Sequence, residues 1–221
     1  MSVPQVLRDG YDSFRAGRLA VEAERYRQLA AEQRPKTMII GCADSRVDPA
    51  TIFAAAPGEL FVVRNIAALV PPFEENGTYH GTSAAVEFAV TSLKVEQIVV
   101  LGHGMCGGIA ASLAVADARP VGRFIKPWVE IIGDLRDELV ERIPASQPQL
   151  RQIALERMAI QQSIENLTTF PFVREAVDSG QLSLHGAWFS IKDAELQWLD
   201  PESGVFEAVG PSAGGDGSAG K

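Results

Sequence analysis

Residues 37–42, TMIIGC, form a brief apolar run that ends on one of only two cysteines in the chain. It follows Pro35 closely and reads as a strand covered on both faces, being short, β-branched and without polar alternation. Two runs of the same kind follow, FVVRN at 61–65 and QIVVLGH at 97–103. PATIFAAA (49–56) and GTSAAVEFAVTSLK (81–94), between them, carry helical patterns. Strands alternating with helices predict an α/β fold with a mainly parallel central sheet flanked by helices.

Upstream, residues 5–33 are rich in Leu, Ala, Arg and Glu and read as helical. Downstream, GGIAASLAVADA (107–118), residues 124–142 and residues 147–168 read as helices, followed by a short one at PFVREAVDSG (171–180). LSLHGAWFSI (182–191) and ELQWLDPESGVFEAV (195–209), joined by the turn KDA, read as a C-terminal strand hairpin. The closing GPSAGGDGSAGK (210–221) is Gly/Ser-rich and reads as a disordered tail. The expected organisation is an N-terminal helical arm (1–35), one domain (36–209) and the tail (210–221).

With 221 residues, 46% of them hydrophobic, the chain suits one domain with a sizeable core. A net charge of -8 argues against nucleic acid or an anionic membrane as the main partner and favours a small-molecule substrate. Two cysteines make no disulfide framework for a domain of this size. The N-terminus has no apolar run resembling a secretory signal, and no stretch approaches the roughly 18 apolar residues of a membrane span. The expectation is a soluble, cytoplasmic protein.

Cys42 stands at the carboxyl end of the first strand, with Asp44 and Arg46 behind it in CADSR (42–46). His103 and Cys106 stand at the end of the third, in HGMC (103–106). Open parallel sheets bind ligands at the carboxyl ends of their strands, so these side chains would meet in one crevice. Two thiolates and an imidazole suit zinc better than calcium, magnesium or manganese. Only three such ligands line up, and the candidate for a fourth is Asp44, for which Arg46 competes. Free N–H groups at Gly107 and Gly108, opening the next helix, would favour the thiolate of Cys106. The bland alternatives are space-filling cysteines, a turn or capping Asp44 and a surface Arg46. A lone His-x-x-Cys is weak evidence. The placement of both halves at strand ends favours the metal.

CADSR, HGMC and the GG that follows resemble the β-class carbonic anhydrases, in their plant-like, open-site branch. PGELFVVRNIAALVPP (57–72), TSAAVEFAVTSLKVEQIVVLGH (82–103) and PFVREAVDSGQLSLHGAWF (171–189) are also similar to that family, and the resemblance covers roughly residues 30–200. It implies reversible hydration of carbon dioxide to bicarbonate and a proton by zinc-bound hydroxide, with Cys42, His103 and Cys106 as zinc ligands. Asp44 would accept a hydrogen bond from the hydroxide, and Arg46 would hold Asp44 in place. Two thiolates weaken zinc as a Lewis acid, so activity is expected to rise above neutral pH.

By position, Phe61, Ile66 and Phe88 resemble pocket-lining residues, partly supplied by a neighbouring subunit. Gln33 matches a glutamine that hydrogen-bonds substrate, and the Gly107 N–H is a further substrate contact. Some members carry a second bicarbonate site of tryptophan, arginine and tyrosine. Here Ile39, Arg64 and Phe189 stand there, which with Gln33 favours the open branch. Two positions proposed to move protons in plant members are Phe88 and Ser92, so the proton route differs; His80 is a substitute candidate, and His185 reads as structural. The resemblance implies a homodimer or an assembly of dimers, with the helical arm packed on the partner. Alternatives are a carbonyl sulfide or carbon disulfide hydrolase on the same scaffold and a non-catalytic zinc-binding interaction protein. A thiol redox protein ranks last, since Cys-x-x-Cys is absent.

Overall fold

Every residue of the TMIIGC run after Thr37 is buried, as a strand covered on both faces requires. The computed structural model describes residues 3–76 and 80–210, so the expected tail lies outside the described residues except for Gly210. Its six strands are β1 (Thr37–Cys42), β2 (Leu60–Asn65), β3 (Gln97–His103), β4 (Ser183–Ser190), β5 (Glu195–Leu199) and β6 (Phe206–Ala208). They form one sheet in the order β2-β1-β3-β4-β5-β6. The first four run parallel, and β5 and β6 add on antiparallel.

Nine helices accompany the sheet among the described residues: α1 (Gln5–Ala16), α2 (Arg18–Leu29), α3 (Pro49–Ile52), α4 (Gly81–Glu87), α5 (Gly107–Ala116), α6 (Ile125–Val129), α7 (Gly133–Arg142), α8 (Pro148–Thr168) and α9 (Pro171–Asp178). Alternation along β1 divides the core. Met38 and Ile40 pack with Ile98, Val100, Ile160, Leu167 and Phe170 on one face, while Ile39 packs with Val99, Leu101 and Ala187 on the other. α8 buries Leu155, Ala159, Ile160, Ser163 and Leu167 at helical spacing. It comes so close to β3 that a Cβ on Gly102 would sit 2.6 Å from Ile160 Cδ1. α8 also fixes the segment after β2: the Val70 N–H donates to Ser163 Oγ at 3.2 Å, and Asn166 Nδ2 donates to the Val70 carbonyl at 2.8 Å.

Several elements differ from the sequence reading for local reasons. The helical region 5–33 breaks at Gly17, a residue that costs about 1 kcal/mol against Ala inside a helix. The helix expected over 49–56 stops at Ile52, and Ala54 takes a left-handed φ of 48°. The one over 81–94 turns π-helical after Glu87 and ends at left-handed Lys94. The one over 124–142 is interrupted by a 3-10 turn at Glu130–Ile132. The last expected strand is two, because Asp200 accepts from the Glu202 N–H at 3.0 Å and the Ser203 hydroxyl at 2.6 Å, and Gly204 supplies a φ of 70°.

α1 and α2 bury no residue of their own. Arg25 ties α2 to the turn before β2, donating to the Pro57 carbonyl and to Glu59, both at 2.9 Å. No helix of the described residues is long and apolar enough to cross a membrane.

Candidate metal centre

β1 and β3 are paired in parallel with Gly41 beside Leu101, so their carboxyl ends emerge side by side. That register brings Cys42, His103 and Cys106 together, with one donor atom from each lying within 4.8 Å of the others. All three residues are buried. The two cysteines, 64 residues apart in the chain, have their Sγ atoms 3.9 Å apart. A disulfide needs about 2.05 Å. Two thiolates on one tetrahedral zinc, each at about 2.3 Å, would lie roughly 3.8 Å apart.

His103 gives the clearest test of the donor set. Its Nδ1 lies 2.9 Å from the Gly104 carbonyl, so Nδ1 carries the proton and donates it. The other nitrogen, Nε2, is buried and has no hydrogen-bond partner among the described residues. A buried lone pair facing two sulfurs is the pattern of an imidazole oriented for a metal. The donor set fits zinc.

The thiols hold their protons unequally. Hydrogen bonding with Cys106 lowers Cys42 to about 4 against the opposing effect of burial. Cys106 is pushed up by the same hydrogen bond and by burial. The N–H groups of Ile109 and Gly108 in α5 do act to lower it, as its place before that helix predicts, but they are outweighed. Two negative charges this close repel, and a cation between them removes the conflict.

Asp44 stands beside the group without joining it. Arg46 grips it bidentately, Nε to Oδ1 at 2.9 Å and Nη2 to Oδ2 at 2.7 Å, while the Arg46 backbone N–H donates to Oδ1 at 3.0 Å. These bonds hold the Asp44 carboxyl well below the usual carboxylate range. Arg46 Nη2 also donates to the Met105 carbonyl at 3.2 Å, tying the first motif to the second. Met105 holds a left-handed φ of 56°, and Ala67 and Ala68 after β2 hold 65° and 55°. Such backbone strain collects where geometry serves a site.

Three contributors lie outside the two motifs. Arg64 donates Nε to the Cys42 carbonyl at 2.9 Å and Nη2 to the Asp44 carbonyl at 2.6 Å, so the guanidinium braces the loop after β1. Glu156 and Gln152 on α8 hold the backbone of Cys106.

The remaining predicted residues divide. Ile66 and Gly107 border the group. A Cβ on Gly108 would lie 2.6 Å from Ile66 Cγ2, whereas one on Gly107 would meet nothing within 4 Å. Phe61 and Phe88 pair with ring centroids 6.0 Å apart, and Phe88 is 44% exposed. Gln33 is exposed on the link entering the opposite end of β1 from Cys42. Within one chain it is not brought to the metal group, because the whole strand intervenes.

A family model described as carbonic anhydrase matches residues 37–196. Two Arabidopsis thaliana proteins are similar. Beta carbonic anhydrase 5, chloroplastic, is 40% identical over 175 residues, covering 79% of this chain and 57% of the relative. Beta carbonic anhydrase 6, mitochondrial, is 36% identical over 194 residues, covering 86% and 66%. The chain thus spans less than two thirds of the length of either. Among solved structures, the β-carbonic anhydrase CcaA superposes with a TM-score of 0.85 at 28% identity, covering 93% of this chain and 98% of that one. A tetrameric β-carbonic anhydrase of Sordaria macrospora gives 0.77 at 30%, covering 88% and 95%.

These relatives correct one expectation. The cytoplasmic reading rested on the lack of a secretory signal, and both plant proteins carry organelle names. Organelle addresses are amphipathic rather than apolar, so that lack does not bear on them. The match over residues 37–196 takes in both motifs and all three candidate ligands, and the chain belongs to the β class of the carbonic anhydrase family.

Proposed function

We propose that this chain catalyses the reversible hydration of carbon dioxide to bicarbonate and a proton, with zinc held by Cys42, His103 and Cys106. The observation that carries the reading is the arrangement of three converging donors with Asp44 held off by Arg46. It leaves a fourth position for water, as catalytic zinc sites do. Zinc supplies Lewis acidity that makes water a nucleophile near neutral pH.

The protein's own groups do the rest. Asp44, kept ionised, accepts a hydrogen bond from the attacking water and aims its oxygen lone pair at the carbon. Arg46 keeps Asp44 in that role and away from the ligand set. Ile66, with Phe61 and Phe88 supplied in part across the subunit interface, offers apolar surface suited to carbon dioxide, and the Gly107 N–H at the start of α5 is a donor for a bicarbonate oxygen. The proton leaves to buffer or a nearby group.

The working unit is a homodimer or an assembly of dimers, in which residues 1–35 act as an arm on the partner and Gln33 reaches the partner's site. Exposed Val6, Leu7, Tyr11 and Val21 on α1 and α2 support this, as does the tetrameric Sordaria relative. Light scattering that gave a monomer mass would overturn it.

Stopped-flow hydration of carbon dioxide by the zinc-loaded protein, from about pH 6.5 to 9, tests the activity. Fast hydration that rises with pH is expected, because two thiolates weaken the Lewis acid. No hydration across the range with zinc bound would overturn the reading.

A further inference from the structure

Glu156 is 2% exposed, deep on the inner face of α8. Its carboxylate accepts three hydrogen bonds, all from neutral donors. Oε1 takes the Cys106 backbone N–H at 3.0 Å and Gln152 Nε2 at 2.7 Å, and Oε2 takes Trp188 Nε1 at 3.1 Å. Gln152, one helical turn earlier, also donates Nε2 to the Cys106 carbonyl at 3.0 Å. Two side chains of one helix therefore hold both polar backbone groups of a single residue, which is the second sulfur donor of the metal group.

Packing does not account for a carboxylate here. The neighbouring α8 positions facing inward are Leu155, Ala159 and Ile160, and an apolar side chain would suit that stripe. A buried carboxylate is expensive unless it is paired. Glu156 enters no ion pair among the described residues; the nearest guanidinium on its helix, Arg157, is turned over the Trp188 ring at 5.1 Å and donates to Gln197 Oε1 at 2.7 Å. What Glu156 does hold is the peptide of a metal ligand 50 residues away in the chain.

We propose that Glu156 is a positioning residue of the metal centre. With Gln152 it clamps the Cys106 peptide, so that Sγ of Cys106 is set opposite Sγ of Cys42 before any cation arrives, and its negative charge favours the cation. The inference rests on the metal-binding reading of Cys42, His103 and Cys106. Trp188 Nε1 fixes the other carboxylate oxygen and so keeps the ring of contacts from rotating.

The test is zinc affinity, by competition with a chromogenic chelator, for wild type, Glu156→Gln and Gln152→Ala, with thermal unfolding of the metal-free proteins alongside. Glu156→Gln removes the charge and must set an N–H₂ against one of the three donors. Glu156→Gln is expected to lower zinc affinity by about 10- to 100-fold, the range for groups that orient ligands, and Gln152→Ala to lower it in the same direction. In the cobalt-substituted protein, the thiolate-to-metal absorption should shift in both variants. If wild type binds no zinc, the metal-binding reading itself fails. If wild type binds zinc and both variants bind as tightly, with an unchanged cobalt spectrum, the clamp is overturned even where unfolding temperature falls. Should Glu156→Gln not fold, half-buried Gln152→Ala decides alone by the same readouts.

Discussion

Arg46 closes on Asp44 through two parallel hydrogen bonds, of 2.9 and 2.7 Å, only two residues along the chain. Its Nη2 reaches on to the Met105 carbonyl, between two of the metal ligands. One guanidinium thus sets both the Asp44 carboxylate and the loop that carries the second motif. Asp44→Ala should keep zinc bound while carbon dioxide hydration falls by about 10²-fold or more, the usual scale for a group that handles a proton. Cys106→Ser should weaken zinc binding itself. Zinc content and stopped-flow rates check both. Metal loss in the first variant with retention in the second would reverse the roles.

The same pair gives a pH dependence of stability. Arg46 depresses the Asp44 carboxyl. A depressed carboxylate stabilises the fold above its unfolded value, about 3.9, and that stabilisation is lost as pH falls through the folded value. Arg46→Ala should therefore lower the thermal midpoint at neutral pH, and its difference from wild type should shrink as pH falls below about 4. The effect is small, because Arg46 is exposed. A difference unchanged by pH would place the contribution of Arg46 elsewhere, in its bond to Met105.

The two glycines after Cys106 should behave oppositely. Gly108→Ala drives a Cβ to 2.6 Å from Ile66 Cγ2, 2.9 Å from Ala67 Cβ and 3.2 Å from Ala67 N. Ala67 is already left-handed and cannot retreat cheaply. Overpacking of this kind costs about 1–3 kcal/mol, readable by denaturant unfolding. Gly107→Ala meets nothing within 4 Å and should leave stability near wild type. Equal losses in both would mean that backbone freedom, not space, is what these positions supply.

Zinc should stabilise the folded chain by mass action. At free zinc about 100 times Kd the gain is about 2.7 kcal/mol, seen as a raised midpoint in thermal scans. Cys42→Ser and Cys106→Ser should abolish most of that gain. A midpoint indifferent to zinc in the wild type would remove the metal from Cys42, His103 and Cys106.

The strands and both motifs were legible because burial on two faces leaves an unbroken apolar run, and because parallel strands end where ligands gather. The convergence of Cys42, His103 and Cys106 was therefore readable from chain position. Glu156 and Gln152 were not, being some 50 residues beyond Cys106 on a helix that reads as amphipathic. A signal existed: Glu156 falls in the stripe with Ala159, Ile160 and Ser163, so a charge sits among inward positions. Gln33 is not brought to the group within one chain, since the nine residues to Cys42 include a whole strand that carries the chain from one end of the sheet to the other. Arg64 was read against an anion site, while its donors are committed to the Cys42 and Asp44 carbonyls. The turn at Asp200 was hidden because DPESG looks like any polar interruption until its side-chain hydrogen bonds are seen.

The separation of 64 positions between the two cysteines has a kinetic consequence. Small zinc modules with ligands close together in sequence fold around the ion. Here the two sulfurs meet only after non-local β1–β3 pairing has closed a long loop, and the second sulfur is seated only once α8 has docked, which makes this a slow class of contact. Metal capture is therefore expected to trail the folding of this chain instead of nucleating it, and zinc uptake by refolding protein should then keep time with the arrival of α8.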